Sequence, residues 1–395
     1  LVRAVKIALV SPYDFAYPGG VCIHISCLEQ QFTRLGHEVR VIAPASKAVS
    51  DFDNRFIPIG RPRPVPTGSG SIARLTISVW LSSRIKEVLE REKFDIIHLH
   101  EPLMPMLCTT ALRLSNTAVV GTFHATGGRP GYNLGWPLSK FFLKRWFRKL
   151  HGKIAVSKSA MKFAHRHFPG YYNIIPNGVD LEHFSPEVAP IEEFNDGKLN
   201  ILFVGRMEKR KGLNYLLDAF VRVKEELPNS RLIAVGPGTR LRRKYEKKVA
   251  KSGVKDVVFV GYASYEDLPR YYQTADIFCA PATGGESFGI ILLEAMALGK
   301  PIVASNIEGY AGVVSDGVDG VLVPPKDSQS LAQALISLLK DEPRRREMGA
   351  QGRAKALRFG WDSIAGTILD YYHRVLAEPP WNRKFPESKA APILV

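Results

Sequence analysis

The chain alternates short, β-branched apolar runs with longer amphipathic stretches, and that rhythm starts a second time near the middle. Val5 to Ser11 predicts a strand, and the Pro/Gly/aromatic loop PYDFAYPGGVCIH leads into a helix ending near Gly36. HEVRVIAP is the next strand, so the chain opens βαβ, the unit of a parallel sheet. Residues 58–70 (PIGRPRPVPTGSG) read as a mobile Pro/Gly-rich loop, and a helical stretch follows from about Ala73 to Glu92. The strand Phe94 to His100 comes next, then AVVGTFHA with the Gly-rich loop TGGRPGYNLG, a helix from Pro137 to Lys149, the strand KIAVS, a helix and NIIPNGVD. Residues 186–198 carry little periodic signal and read as a linker. Beyond them NILFVGR, RLIAVG, DVVFVGY, ADIFCAP, PIVAS and GVLVPP alternate with helical stretches, and a last helical region begins near Ser328. Two successive Rossmann-like α/β domains follow from this pattern, with ligand sites expected at the C-terminal ends of the strands.

One stretch stands out, GGESFGIILLEAMALGKPIVASN over residues 284–306. Gly284 and Gly285 allow positive φ and close approach to a ligand. An apolar helical run follows, ended by Gly299, Lys300 and Pro301. Glu286 is placed at the mouth of this helix and Glu294 about two turns in. Free amides at a helix start attract anionic groups, and a carboxylate beside them accepts hydrogen bonds from hydroxyls. That pairing suits a ligand with both phosphates and sugar hydroxyls. A plain surface loop is the alternative. Glu294 argues against it, because an unpartnered carboxylate in the run Ile290 to Met296 is costly.

Composition narrows the class. A chain of 395 residues, 45% hydrophobic and 23% charged, fits a globular protein of two domains. No apolar run reaches membrane-spanning length, and LVRAVKIALVSPY reads as a strand, not a signal. Cys22, Cys27, Cys108 and Cys279 lack metal-ligand spacing and read as reduced thiols. The formal net charge is +16 and uneven. Residues 1–185 hold 24 Lys and Arg against 12 Asp and Glu, or +12; the rest holds 30 against 26, or +4. Anionic membrane and nucleic acid are the candidate partners for the basic half, with a solubilising charge as the plain reading. No nucleic-acid motif supports the second partner.

Other candidates are weaker alone. Tyr17-Pro18-Gly19-Gly20 sits where a loop passes from strand to helix and suits a phosphate, but it is also an ordinary turn. GRMEKRKG places Arg206 and Lys211 at a strand end, where paired cations suit a diphosphate. GPGTRL fails the dinucleotide fingerprint because Leu241 replaces its third glycine. His124 ends a strand beside a Gly-rich loop. His98, His100 and Glu101 in HLHEP suggest a metal, but the two histidines share one face of an apolar strand, where a structural role or a substrate contact is expected ahead of a metal. In WPLSKFFLKRWFRKLHGK, Lys140, Lys144, Arg145, Trp146, Phe147 and Arg148 interleave bases with aromatics as an interfacial helix does, although a core helix with a basic outer face fits too.

These residues in this order resemble the retaining GT-B glycosyltransferases of family 4, and within them the bacterial phosphatidyl-myo-inositol mannosyltransferases. The likeness runs through SPYDFAYPGGVCIH, HEVRVIAPAS, GSIARL, HLHEP, TFHA, GKIAVS, IPNGVD and CAPATGGESFGIILLEAMA. It implies an α/β GT-B fold, two Rossmann-like domains facing across a cleft. Residues 1–187 would form the acceptor and membrane side, 188–365 the nucleotide-sugar domain, and 366–395 a helical segment crossing back. The implied reaction moves a hexose, mannose from GDP-mannose, onto a phosphatidylinositol-type headgroup. No metal or other cofactor is expected, and the enzyme would be cytoplasmic, attached peripherally to the inner face of the plasma membrane. By the same resemblance Gly20, Arg206, Lys211, Glu286, Ser287, Phe288, Gly289, Ile290 and Glu294 bind the donor. His124, Glu286, Arg206 and Lys211 act at the reacting centre, and Arg74 and Arg129 hold the acceptor phosphate. Leu103, Ala125, Gly68 and Ser69 depart from the family pattern on the acceptor side. They keep open a UDP-sugar donor with a diacylglycerol-type or soluble acceptor. A non-catalytic basic scaffold is the reading from another class, against which the paired Glu286, Glu294, Arg206 and Lys211 argue.

Overall fold

The computed structural model describes residues 4–17, 19–49, 53–66, 72–76, 80–127 and 143–377. The chain divides into two compact units, Leu1–Asn177 with the segment from Trp361 onward, and Gly178–Gly360. The division therefore falls at Asn177, ahead of the linker-like 186–198. Phe194 explains the difference: it is buried in the second unit's core beside Val179 and Phe184, which ties that segment down.

In the first unit, β1 (Lys6–Val10), β2 (Glu38–Ala43), β3 (Phe56–Pro58), β6 (Ile96–His100), β7 (Ala118–Phe123), β8 (Gly152–Ala155) and β9 (Asn173–Ile174) form a parallel sheet in the order β3-β2-β1-β6-β7-β8-β9. Both faces are covered, which is why the strands read as unbroken apolar runs. Alternation sorts them: Ala8 and Val10 enter one core, Ile7 and Leu9 the other. On the second face the helix Gly20–Arg34 packs Ile25, Leu28 and Phe32 with Trp361, Ile368 and Tyr372 of the helix Trp361–Ala377.

Two expectations fail between β3 and β6. The supposed mobile loop and the start of the supposed helix are paired strands, β4 (Pro62–Pro66) and β5 (Ile72–Thr76), with Arg63 opposite Leu75; the helix spans only Leu81–Glu92. The decision is tertiary. β5 also bridges at Leu75 to Tyr13, and the Asp14 amide donates to the Arg74 carbonyl at 3.0 Å. Those partners lie in the loop after β1, outside any local window.

The second unit repeats the architecture. β10 (Leu199–Val204), β11 (Ser230–Val235), β12 (Val257–Gly261), β13 (Ile277–Ala280), β14 (Ile302–Ser305) and β15 (Gly320–Val323) form a parallel sheet in the order β12-β11-β10-β13-β14-β15. The order turns back at β10, between β11 and β13, the place where such sheets bind ligands at their carboxyl ends.

Candidate active site

The loop after β10 and the loop after β13 meet at that turning point because glycine permits it. Gly212 has φ 76°, and a Cβ there would lie 1.8 Å from the Pro281 carbonyl oxygen, so only glycine lets the two backbones come this close. The Thr283 amide then donates to the Arg210 carbonyl at 2.7 Å. The result is a charge cluster. Glu286 accepts from Arg210 Nη1 at 2.5 Å and from Lys211 Nζ at 2.8 Å. Glu208 holds Arg210 at 3.0 Å and Arg206 at 3.1 Å. Three cations thus face two carboxylates, leaving a net positive site. Arg206 is its most exposed base, whereas Lys211 is largely enclosed. Arg210 was not singled out in the sequence, although it stands in the same GRMEKRKG run.

The helix of the opening motif spans Ile290–Ala297, capped by Gly289 at φ 94°. Glu286 therefore lies in the loop, and Glu294 little more than one turn into the helix, not two. Gly289 is the reason: its left-handed conformation stops the helix from extending back through Ser287 and Phe288. The Phe288 ring is buried in the unit's core and anchors the loop. The first amides of the helix have no partner within it and point outward from its start. Glu294 has the specific partner that its apolar setting required. The Tyr272 hydroxyl donates to its Oε2 at 2.7 Å. Burial pushes the Glu294 carboxyl up to about 7, against the pull of Tyr272 and Lys211.

The first unit holds a different kind of site. His98 and His100 share one face of β6, with ring centroids 4.3 Å apart, and both are fully buried. His98 Nδ1 lies 2.5 Å from the Tyr372 hydroxyl and its Nε2 lies 2.6 Å from Thr122 Oγ1. His100 Nδ1 lies 3.1 Å from His124 Nε2. His24 stands edge-on to both His100 and His124, with centroids at 5.2 and 5.0 Å, and its Nδ1 is 2.9 Å from Asn177 Oδ1. Glu101, at φ 53°, turns back so that Oε1 accepts from the amides of His124 and Ala125, each at 2.8 Å. This clamp fixes where His124 stands. Burial lowers every ring: His24 falls to about 4 and His98 to about 3, while His100 and His124 fall well below the usual imidazole range. The neighbouring histidines push in the same direction for His98, His100 and His124. The group is neutral at physiological pH.

The run HLHEP points to Glu101 as well as to His98 and His100, whereas nothing local in the sequence points to His24 or Asn177 as members of this site. His24 lies four positions after Gly20 and so about one turn into the same helix. Gly20 opens that helix, and Gly19 caps it at φ −164°, an extended conformation that any residue adopts. Arg74 is held by stacking of its guanidinium on Tyr17, 4.0 Å from the ring centroid. Arg129 and Lys140 lie outside the described residues, as do Gly68 and Ser69.

The interfacial-helix expectation needs correction. Leu143, Phe147 and Leu150 are buried in the first unit's core, and Trp146 packs against it. The Phe147 ring is 8% exposed and lies 5.3 Å from that of Phe168. It is not available to lipid, because the apolar arc that suited a membrane suits the sheet equally well. Lys144, Arg145 and Arg148 remain exposed on the outer side. No helix among the described residues is long and apolar enough to cross a membrane.

Two Rossmann-like units of parallel sheet, the second with cations, a carboxylate and a helix start gathered at its turning point, make the α/β GT-B fold. A family model described as glycosyl transferases group 1 matches residues 185–355, and one described as Glycosyltransferase Family 4 matches residues 18–183. A phosphatidyl-myo-inositol mannosyltransferase of Mycobacterium leprae is 37% identical over 375 residues, covering 94% of this chain and 97% of that protein. Its counterpart in Mycobacterium tuberculosis is 35% identical over 379 residues, covering 94% and 97%. The crystal structure of a glycosyltransferase from Rickettsia africae matches with a TM-score of 0.77 at 18% identity, covering 95% of this chain and 100% of that one, a likeness of fold. The chain belongs to the family 4 glycosyltransferases, enzymes that take a nucleotide sugar as donor.

Proposed function

We propose that this enzyme transfers mannose from GDP-mannose to the inositol of a phosphatidylinositol-type lipid, with retention at the anomeric carbon and without a metal. The relatives named as mannosyltransferases, matching almost end to end, support the substrate class. The observation that carries the chemistry is Glu286 held between Arg210 and Lys211 beside a helix start. As the anomeric C–O bond breaks, negative charge grows on the leaving diphosphate. Arg206, Arg210, Lys211 and the amides from Ser287 to Ile290 are fixed donors for that charge, which is the task a metal ion performs elsewhere. Glu286 accepts from the sugar hydroxyls, and Glu294 from the ribose. Gly20 offers open backbone to the donor phosphate. His124 stands at the sugar, and Arg74 with Arg129 binds the acceptor phosphate. The exposed bases Lys144, Arg145 and Arg148 favour an anionic membrane surface, so peripheral attachment follows from charge rather than from inserted aromatics.

The test is product formation from labelled GDP-mannose and liposomes containing phosphatidylinositol, beside UDP-glucose and lipid-free controls. Mannosylated lipid in the first mixture alone is the expected result. Transfer from UDP-glucose, or to a lipid lacking inositol, would overturn donor and acceptor while leaving the enzyme class intact. Leu103, where the resemblance expects an asparagine on the acceptor side, is fully buried in the first unit's core, and the missing polar side chain there is what keeps that second reading open.

A further inference from the structure

We propose that His24, His100 and His124 form a binding site for a divalent transition-metal ion, zinc by the chemistry of its ligands, whose occupancy takes His124 out of the transfer reaction. One ring nitrogen of each lies within 4.8 Å of the others. His24 and His100 are 2% and 0% exposed, and among the described residues neither Nε2 has a hydrogen-bond partner. The tautomers make both of these atoms lone pairs. His24 donates its Nδ1–H to Asn177 Oδ1, which leaves Nε2 bare. His100 donates its Nδ1–H to His124 Nε2, since the opposite arrangement would bury an unpaired N–H. Two acceptors without donors therefore belong to one group with the third ring, each of the three rings offering a nitrogen within 4.8 Å of the others.

Imidazole is the preferred ligand of zinc, copper and nickel, whereas magnesium and calcium require oxygen. Zinc–nitrogen bonds of about 2.1 Å in a tetrahedron put the nitrogens roughly 3.4 Å apart, so the rings close in by a little over 1 Å at most. His124 is half-buried and the least enclosed of the three. The His24–Asn177 bond is the outer-shell support that metal-binding histidines need. Binding exchanges the His100–His124 hydrogen bond for two metal–nitrogen bonds. The ion then competes with the sugar for His124, a consequence that rests on the transferase reading above.

The binding test uses cobalt(II) as a coloured stand-in for zinc, titrated into the metal-free 395-residue chain, with zinc competing it out. One equivalent with an intense tetrahedral visible band is expected. His24→Phe and His100→Phe should weaken binding by about 100-fold or more and Asn177→Leu by about 10-fold, whereas the exposed His165→Ala should change nothing. Circular dichroism confirms that each variant is folded. Absence of the band in the wild-type protein, or its survival in both phenylalanine variants, overturns the site. Zinc should also reduce transfer in the wild type in proportion to occupancy. Full transfer by zinc-loaded enzyme overturns the inhibitory consequence. An enzyme that transfers nothing even without zinc overturns the functional reading, while cobalt binding still decides the site.

Discussion

The two units share one architecture and hold opposite kinds of polar site. In the second, three cations and two carboxylates lie at the open end of the sheet, paired but partly solvated. In the first, four histidines sit against the covered face of the sheet, neutral, with hydrogen bonds to Tyr372, Thr122 and Asn177. On the proposed function the second site meets a charged leaving group, and its charges stay near water because burying them would cost more than their pairing returns. A site that positions a neutral ring can be buried, because imidazole shifts its pKa and stays uncharged. Similar folds thus solve two problems with different electrostatics.

The sharpest way to break this contrast is at Glu286. Glu286→Ala should lower kcat by about 10³-fold, the scale of losing a principal transition-state contact, with little change in the first unit. Arg210→Ala should cost about 10²-fold in steady-state assays, since it removes a donor and leaves Lys211 as the one cation bonded to Glu286 among the described residues. Near-normal kcat in both variants would mean that the charge cluster is structural.

Stability separates the outer charges from the core. Phe147→Ala should destabilise the chain by about 3–5 kcal/mol in denaturant unfolding, as a core cavity does. Replacing exposed Lys144 or Arg145 by Ser should change stability by less than about 0.5 kcal/mol. The latter pair should instead weaken binding to anionic liposomes at low salt. A mild effect at Phe147 would restore the interfacial reading of that helix.

The pH dependence should have opposite signs in the two units. His24 at about 4 and His98 at about 3 lie below the ordinary 6.5, so the unfolded chain takes up those protons first. Their contribution is complete above about pH 6.5 and is lost as pH falls toward 4 and then 3. Glu294 at about 7 lies above the ordinary 4.5, so the native state binds that proton first, and its contribution fades as pH rises from 4.5 through 7. Amide hydrogen exchange resolved by segment, compared at about pH 7.5 and pH 5, should show protection lost around β6 and β7 and kept around the helix Ile290–Ala297. Glu294→Gln should flatten the second trend by the smallest of these effects. Equal loss in both units would remove the distinction.

The second unit's site was largely legible because its parts are contiguous. Glycine, base and carboxylate fall in two runs, GRMEKRKG and GGESFG, each tied to the end of one strand, and local chemistry announces such runs. Arg210 was passed over because three neighbouring bases are equivalent by composition, and only the meeting of two loops chooses which of them reach Glu286. Tyr272 as the partner of Glu294 was invisible for the same reason. The β4–β5 pair is not legible locally because its deciding contacts lie near Tyr13 and Asp14.

The sequence by itself determined the alternation of strands and helices, the two Rossmann-like units and the strand ends at which GRMEKRKG and GGESFG fall. Each of these depends on hydrophobic period or backbone freedom within a few residues. Tertiary structure alone decided which faces are hidden. It buried Phe147, started the helix that crosses back to the first unit at Trp361, and gathered His24, His100, His124 and Asn177 from segments up to 153 positions apart. Burial and long-range pairing are properties of the packed chain, since a side chain's dielectric and partners exist only once the distant segments have closed around it.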